Sequence, residues 1–373
     1  MPEVARGLEG VVVASSSISK VFGDEGNLVY RGVSIHDLAQ HASFEEVVAL
    51  LWNAQLPRRA ELQTLRARLA QQRVAPEPVL EWLRRTPGED SMATLRTAVS
   101  MLSGYDADAG DASLDAARRQ AERLVATMST LVAALGRVRE GKEPVAPDPQ
   151  LSHAANFLYM LSGERPGEAA ARTFEQALVL HADHGFNAST FSARVTTSTL
   201  SDLYSAMVSA IGTLKGASHG GAATRVMEML LEIQSSDEEP GAWVRRALAE
   251  HKRIMGFGHR VYKVEDPRAT HLRRSSESLS MATGDATWFD MSQSIERAVH
   301  ENKGLFPNVD FYAASTYYML GIPTHLYTPI FAVSRVAGWT AHVLEQMADN
   351  RLIRPRSDYT GPLSAPFVPL DAR

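Results

Sequence analysis

The sequence has no cysteine, only six lysines among its 38 basic residues, and no stretch approaching the ~20 apolar residues that a membrane-spanning helix needs. The first absence excludes a disulfide scaffold, a thiolate zinc site and a cysteine nucleophile. The scarcity of lysine reflects genome composition as readily as heat tolerance and fixes no growth temperature. The opening text, MPEVARGLEGVVVASSS, lacks a basic start leading into a long apolar core, so a soluble, cytoplasmic protein without a membrane partner is expected. A net charge of −5 with both signs mixed argues against a generic nucleic-acid coat, and no nucleic-acid partner is expected. What is present is length and apolar content: 373 residues, 45% apolar, suit one large domain or two unequal ones around a real core.

Helical periodicity dominates. In SFEEVVALLWNAQLP, Ser43 and Glu46 stand in capping-box spacing, Val47, Leu50, Leu51 and Ala54 share a face, and Pro57 stops the helix. Similar patterns recur from Leu62 to Met347, among them Leu114 to Val138, Ala169 to Leu180, Asp202 to Leu214, Ala222 to Ile233, Ala269 to Met281, Phe311 to Leu320 and Ile330 to Met347. They leave no room for a regular βαβ alternation. Strand signals are confined to Val11 to Ile18 and Leu28 to Tyr30, flanking a turn around Gly23 to Gly26. The expected fold is therefore mainly α with a short N-terminal β-hairpin. Glycine-dense polar text after Leu214 and around Pro307 suggests hinges. These divide the chain into a large domain (1–218 and 319–373) and a smaller one (219–318).

Chemistry-bearing residues gather in four stretches: HADHGFNAST (His181 to Thr190), LKGASHGGAATRV (Leu214 to Val226), MGFGHRVYKVEDPR (Met255 to Arg268) and FPNVDFYAAS (Phe306 to Ser315). His181 and His184 share a helical face, but without a third ligand nearby they make no convincing metal site, and no metal is expected. Gly256 and Gly258 lack the third glycine of a dinucleotide fingerprint; taken alone, GFGH reads equally well as a helix C-cap with a turn. His219 precedes a helix from about Ala222, so the positive end of that helix dipole should keep its imidazole neutral. Asp310, at the start of another helix, should by the same logic stay ionised. A neutral donor and an ionised carboxylate are the minimum set for removing a proton from carbon α to a carbonyl. Arg268, Arg335 and Arg354 lie in apolar or turn text rather than in charged runs, which suits a substrate carrying two or more carboxylates.

Gly216-Ala217-Ser218-His219-Gly220 also spells G-x-S-x-G, with Asp310, His325 and His342 following in the order of a serine hydrolase. That motif needs a strand leading in. The stripe Leu203, Ala206, Met207, Ala210, Ile211 and Leu214 indicates a helix instead, which makes a nucleophilic Ser218 the distant alternative.

GASHGG, GFGHRVYKVEDPR and PNVDFY, in this order, closely resemble the citrate synthase family, particularly its compact bacterial and archaeal type. The resemblance runs nearly end to end through GLEGVVV, YRG, HADHGFNAST, TPIFAVSRVAGWTAHVLEQ and NRLIRPRSDYTGP. It implies a large helical domain and a smaller one that closes over oxaloacetate to complete the acetyl-CoA site. It also implies condensation of acetyl-CoA with oxaloacetate and hydrolysis of citryl-CoA to citrate, the opening step of the tricarboxylic acid cycle. No cofactor is implied, since coenzyme A enters as the substrate thioester. By the same resemblance Asp310 is the base, His219 the neutral donor to the enol, and His259 the group that protonates the oxaloacetate carbonyl. His184, Arg268, Arg335 and Arg354 bind oxaloacetate, Arg354 within the neighbouring subunit of a homodimer, and Lys263 meets CoA phosphates. The family usually reads Pro-Leu-His-Gly-Gly-Ala-Asn around the first histidine, where this chain has Ala217, Ser218 and Ala223. A 2-methylcitrate synthase, using propionyl-CoA, shares all these motifs and is the nearest alternative.

Overall fold

The computed structural model describes residues 4–259 and 261–373. Near the N-terminus, β1 (Ser19–Phe22), β2 (Asn27–Tyr30) and β3 (Val33–Ser34) form an antiparallel sheet in that order, with Ser19 opposite Tyr30 and Tyr30 opposite Val33. Sixteen α-helices follow among the described residues. They are α1 (Ile35–His41), α2 (Phe44–Asn53), α3 (Arg59–Gln72), α4 (Glu77–Arg84), α5 (Ser91–Leu102), α6 (Leu114–Arg139), α7 (His153–Ser162) and α8 (Glu168–His181). The second half supplies α9 (Ala188–Ser198), α10 (Leu203–Leu214), α11 (Ala222–Ser235), α12 (Pro240–Ala249), α13 (Pro267–Thr283), α14 (Thr287–Lys303), α15 (Val309–Met319) and α16 (Tyr327–Ala348).

Local chemistry explains most helix starts. The Ser43–Glu46 capping box is formed at α2, which ends at Ala54 in the left-handed conformation. Asp90, Ser113, Ser152, Asn187, Asp202, Asp266 and Asn308 cap their helices by accepting backbone N–H bonds. The central element is α16. It is buried from Ala332 to Leu344, including Trp339 and Arg335, and packs against α2, α5, α6, α8, α9 and α10. Helices α11 to α15 pack largely among themselves, α11 and α13 on α15 and α12 on α14, while α13 also touches α1 and α8.

The mainly helical architecture with a short N-terminal hairpin is as expected, and the turn falls between Phe22 and Asn27. The first strand does not. Val11 to Ser17 are exposed and without regular structure, and β1 begins at Ser19. A β-branched run had the composition of a strand, but within one chain it has no partner. Three helices were not anticipated: α1 and α4 are under three turns long, and α9 has a Ser/Thr-rich sequence of low helix propensity.

Close approach of α16 to the end of α8 depends on Gly338. Its N–H donates to Ala182 O at 3.1 Å, and a Cβ there would overlap both that carbonyl oxygen and the Asp183 carboxylate. Gly338→Ala is expected to destabilise the protein by about 1–3 kcal/mol in urea unfolding despite its better helix propensity.

Candidate active site

The GFGH glycines do not cap α12, which ends at Ala249. They bend the chain around the start of α15. Gly256 and Gly258 have φ of 84° and 76°, and a Cβ on Gly256 would meet Phe311 and Val226. Asn308 N–H donates to Gly256 O at 2.9 Å and its side-chain amide to Gly258 O at 3.0 Å, while Gly258 N–H donates to Phe306 O at 3.0 Å. Asn308 also caps α15, accepting from Asp310 N–H at 3.1 Å. One asparagine thus fixes the turn before His259 and the helix start that holds Asp310.

His259 Nδ1 accepts from the backbone N–H groups of Val261 and Tyr262 at 3.0 and 3.1 Å. Two donors on that nitrogen leave the neutral ring's proton on Nε2. The ring stands edge-on to His184 with centroids 5.4 Å apart, and Tyr262 touches both imidazoles. Burial lowers the His259 pKa to about 4, with Arg268 adding to the effect. His184 is lowered well below its ordinary value by burial, then by Arg268 and Arg335.

Asp266 caps α13 and grips Arg268 through both carboxylate oxygens, at 3.0 Å from Nε and 2.8 Å from Nη2. The same carboxylate accepts Val309 N–H at 3.2 Å, binding the start of α15 to the start of α13. Burial works against both charges of the pair. Their mutual attraction outweighs it, holding Asp266 below and Arg268 above the ordinary range. Among the described residues Asp310 has no such partner. Burial pushes its carboxyl up to about 6, with Arg268 and Arg335 opposing and Asp266 assisting. A carboxyl raised to about 6 is still mostly ionised at neutral pH, while sitting above the ordinary carboxylate range.

His219 lies just before α11, as expected, in an exposed turn whose preceding segment is α10. A helix leading in removes the strand that a nucleophilic Ser218 requires, and Ser218 itself is exposed. Burial lowers the His219 imidazole to about 4, Arg335 contributing. Nε2 lies 2.8 Å from Ser189 Oγ and 3.4 Å from Ser189 N–H, and that hydroxyl accepts from Trp339 Nε1 at 3.1 Å. The Ser189 N–H aimed at Nε2 favours the ring proton on Nδ1, the Ser189 hydroxyl lying 2.8 Å from both Nε2 and Asn187 Oδ1. Sequence reading missed Ser189, Tyr262, Asn308 and Phe331. Asn187 and Asn308, each ahead of a helix, were readable as caps.

Arg335 is 1% exposed, its Nε donating to His181 O at 2.7 Å and its guanidinium lying over the Phe331 ring at 4.6 Å. Among the described residues Nη2 has no hydrogen-bond partner, and burial lowers the group to about 10, with Asp183 opposing. A buried guanidinium short of acceptors is poised for an anion. Arg268 and Arg335 together act on His184 and Asp310, and Arg335 acts on His219, so five of the residues singled out from sequence share one electrostatic site with His259 at its edge.

Two residues stand apart. Lys263 is exposed and pairs with Asp24 at 2.7 Å, on the turn between β1 and β2. Arg354 is exposed in the segment after α16, which is tied to α9 by Ile353 N–H donating to Ser198 Oγ at 3.0 Å. His181 is structural: its Nδ1 lies 2.8 Å from Ala177 O and it is buried at the end of α8. Among the described residues no group of three metal-ligating side chains occurs.

A mainly helical protein that gathers two buried guanidinium groups, an unpaired carboxylate and neutral imidazoles has the equipment of an acid–base enzyme for an anionic substrate. Residues 7–356 match the family model described as citrate synthase, C-terminal domain. The chain is 55% identical to the citrate synthase of Haloferax volcanii, covering 100% of this chain and 99% of that one. It is 43% identical to a 2-methylcitrate synthase of Mycobacterium tuberculosis over 96% of this chain and 91% of the relative. The crystal structure of citrate synthase from Pyrobaculum aerophilum superposes with a TM-score of 0.93 at 40% identity, over 99% and 95% of the two chains. A ternary complex of carboxymethyl coenzyme A and oxaloacetate with the Thermoplasma acidophilum citrate synthase gives 0.91 at 31% identity, over 100% of both. The chain belongs to the citrate synthase family and is an enzyme of acyl-transfer condensation.

Site-resolved NMR titration should find the Asp310 carboxyl protonating near pH 6. The His219 and His259 rings should stay neutral until about pH 4. An ordinary histidine would already be half-protonated near 6.5.

Proposed function

We propose that this protein condenses acetyl-CoA with oxaloacetate and hydrolyses the resulting citryl-CoA to citrate and CoA, as in the opening step of the tricarboxylic acid cycle in the cytoplasm. The observation that carries the reading is the buried, under-bonded Arg335 beside Arg268, next to the unpaired carboxylate of Asp310. In this reading the two guanidinium groups and His184 hold the keto diacid. Asp310 takes a methyl proton from the thioester, and His219 donates from Nδ1 to the enol oxygen as charge develops there. The enol carbon attacks the oxaloacetate carbonyl, whose oxygen takes a proton from His259 Nε2–H. Water then cleaves the thioester.

Placement of Asp310 and Arg268 on α15 and α13, and of Arg335 on α16, supports a division in which residues 219–318 close over oxaloacetate before the thioester binds. Closure excludes water until both substrates are present. The exposure of Arg354 supports its use in a neighbouring subunit of a homodimer, and the exposed ammonium of Lys263 suits exchange of Asp24 for CoA phosphates.

Thiol release in the presence of oxaloacetate tests the reading. Acetyl-CoA should have the higher kcat/KM; a clear propionyl-CoA preference would assign the 2-methylcitrate reaction, since one methylene is worth only about 1–3 kcal/mol. Asp310→Asn should lower kcat about 10²–10⁴-fold with oxaloacetate binding retained. In the wild type, kcat/KM should fall as pH drops through about 6, because a protonated Asp310 cannot accept the methyl proton. Mixing inactive Arg354→Ala and Arg335→Ala chains should restore activity in verified mixed dimers; no recovery would contradict a shared site.

A further inference from the structure

The turn that presents His219 has little of its own to hold it. Gly216, Ala217 and Ser218 are exposed, and Gly221, the N-cap of α11, offers no side-chain cap. Within the turn, His219 N–H donates to Gly216 O at 2.9 Å and Gly220 N–H to Leu214 O at 3.0 Å. Position 217, a proline in the usual family pattern, is alanine here, so the backbone gains freedom at that point.

Arg225, one turn into α11, reaches back over this turn. Its Nη2 donates to Ala217 O at 2.5 Å and its Nε to Gly221 O at 3.2 Å, so one planar group bridges carbonyls on both sides of His219. Helix α11 packs on α15, the helix that carries Asp310. We propose that Arg225 is a positioning residue for this reaction, clamping the His219 turn to the helix that faces Asp310. The proposal rests on His219 and Asp310 forming the enolising pair.

The guanidinium has a second effect through the same placement. Its charge acts on the half-buried Asp310 carboxyl in the same direction as Arg268 on α13 and Arg335 on α16, and against Asp266 at the start of α13. On α15 itself, Asp310 also faces Tyr317. From α14 the charged group Glu296, with its partner Arg273 on α13, meets α15 at Tyr312 instead. Arg225 therefore bears on both halves of the pair, on one through geometry and on the other through charge.

Initial-rate kinetics across pH on Arg225→Gln and Arg225→Lys separate the two effects. With glutamine, kcat should fall about tenfold through misplacement of the imidazole. The acid limb of kcat/KM should move to higher pH as a favourable cation is lost. The KM for oxaloacetate should stay within about twofold, since Arg268 and Arg335 are untouched. With lysine, the acid limb should return to its wild-type position while kcat stays low, because one ammonium cannot span both carbonyls. A glutamine variant with wild-type kcat, or with an unmoved acid limb, overturns the proposal. Should that variant fail to fold, a folded lysine variant with wild-type kcat overturns it equally. These are ratios to a wild-type enzyme that turns over. Absence of condensation by the wild type would instead refute the underlying function.

Discussion

The site is organised around buried positive charge that, at Arg335, is left short of hydrogen-bond acceptors. Asp266 satisfies Arg268 in a two-point grip, yet Arg335, equally buried, receives only a backbone carbonyl and an aromatic face. Burying a guanidinium with a donor left unbonded costs free energy that the nearby Asp183 offsets only in part. In the proposed function an arriving dicarboxylate supplies the missing acceptors. The same charges keep nearby histidines neutral and restrain the rise of the Asp310 pKa, so substrate recognition and proton chemistry share one cause.

The fold delivers these groups through helix ends. Asp266 and Asn308 each cap a helix and also reach a second segment: Asp266 binds the start of α15, and Asn308 holds the turn before His259. Ser189, in the first turn of α9, meets the His219 ring and is itself fixed by Trp339. The cost of ordering flexible segments is thereby met by groups that the helices need for capping in any case. Such shared use explains how residues far apart in sequence, from His184 to Arg335, can be held in one small volume.

Long, strongly periodic helices were legible in the sequence, and α2, α6, α10 and α16 lie within a few residues of where their apolar stripes put them. Short or polar ones were not. Helix α9 buries Ser189, Thr190, Arg194, Thr197 and Ser198, so its buried face carries no apolar stripe. The run Val11 to Val13 misled in the opposite direction, since composition alone does not show whether a β-branched segment finds a neighbour. His219, His259, Asp310 and Arg268 were legible as breaks in helical text, and their environments were not. Burial, which depends on packing from distant segments, was not legible, and it shifts both His219 and Asp310.

The central claim is that Arg335 is kept charged and under-bonded for the sake of an anionic substrate. Thermal melting of the wild type and of Arg335→Met, with and without oxaloacetate, tests it most directly. The account predicts that oxaloacetate raises the wild-type Tm and leaves that of the variant unmoved, while the unliganded variant melts no lower than the wild type. An oxaloacetate-induced shift of equal size in Arg335→Met would contradict it.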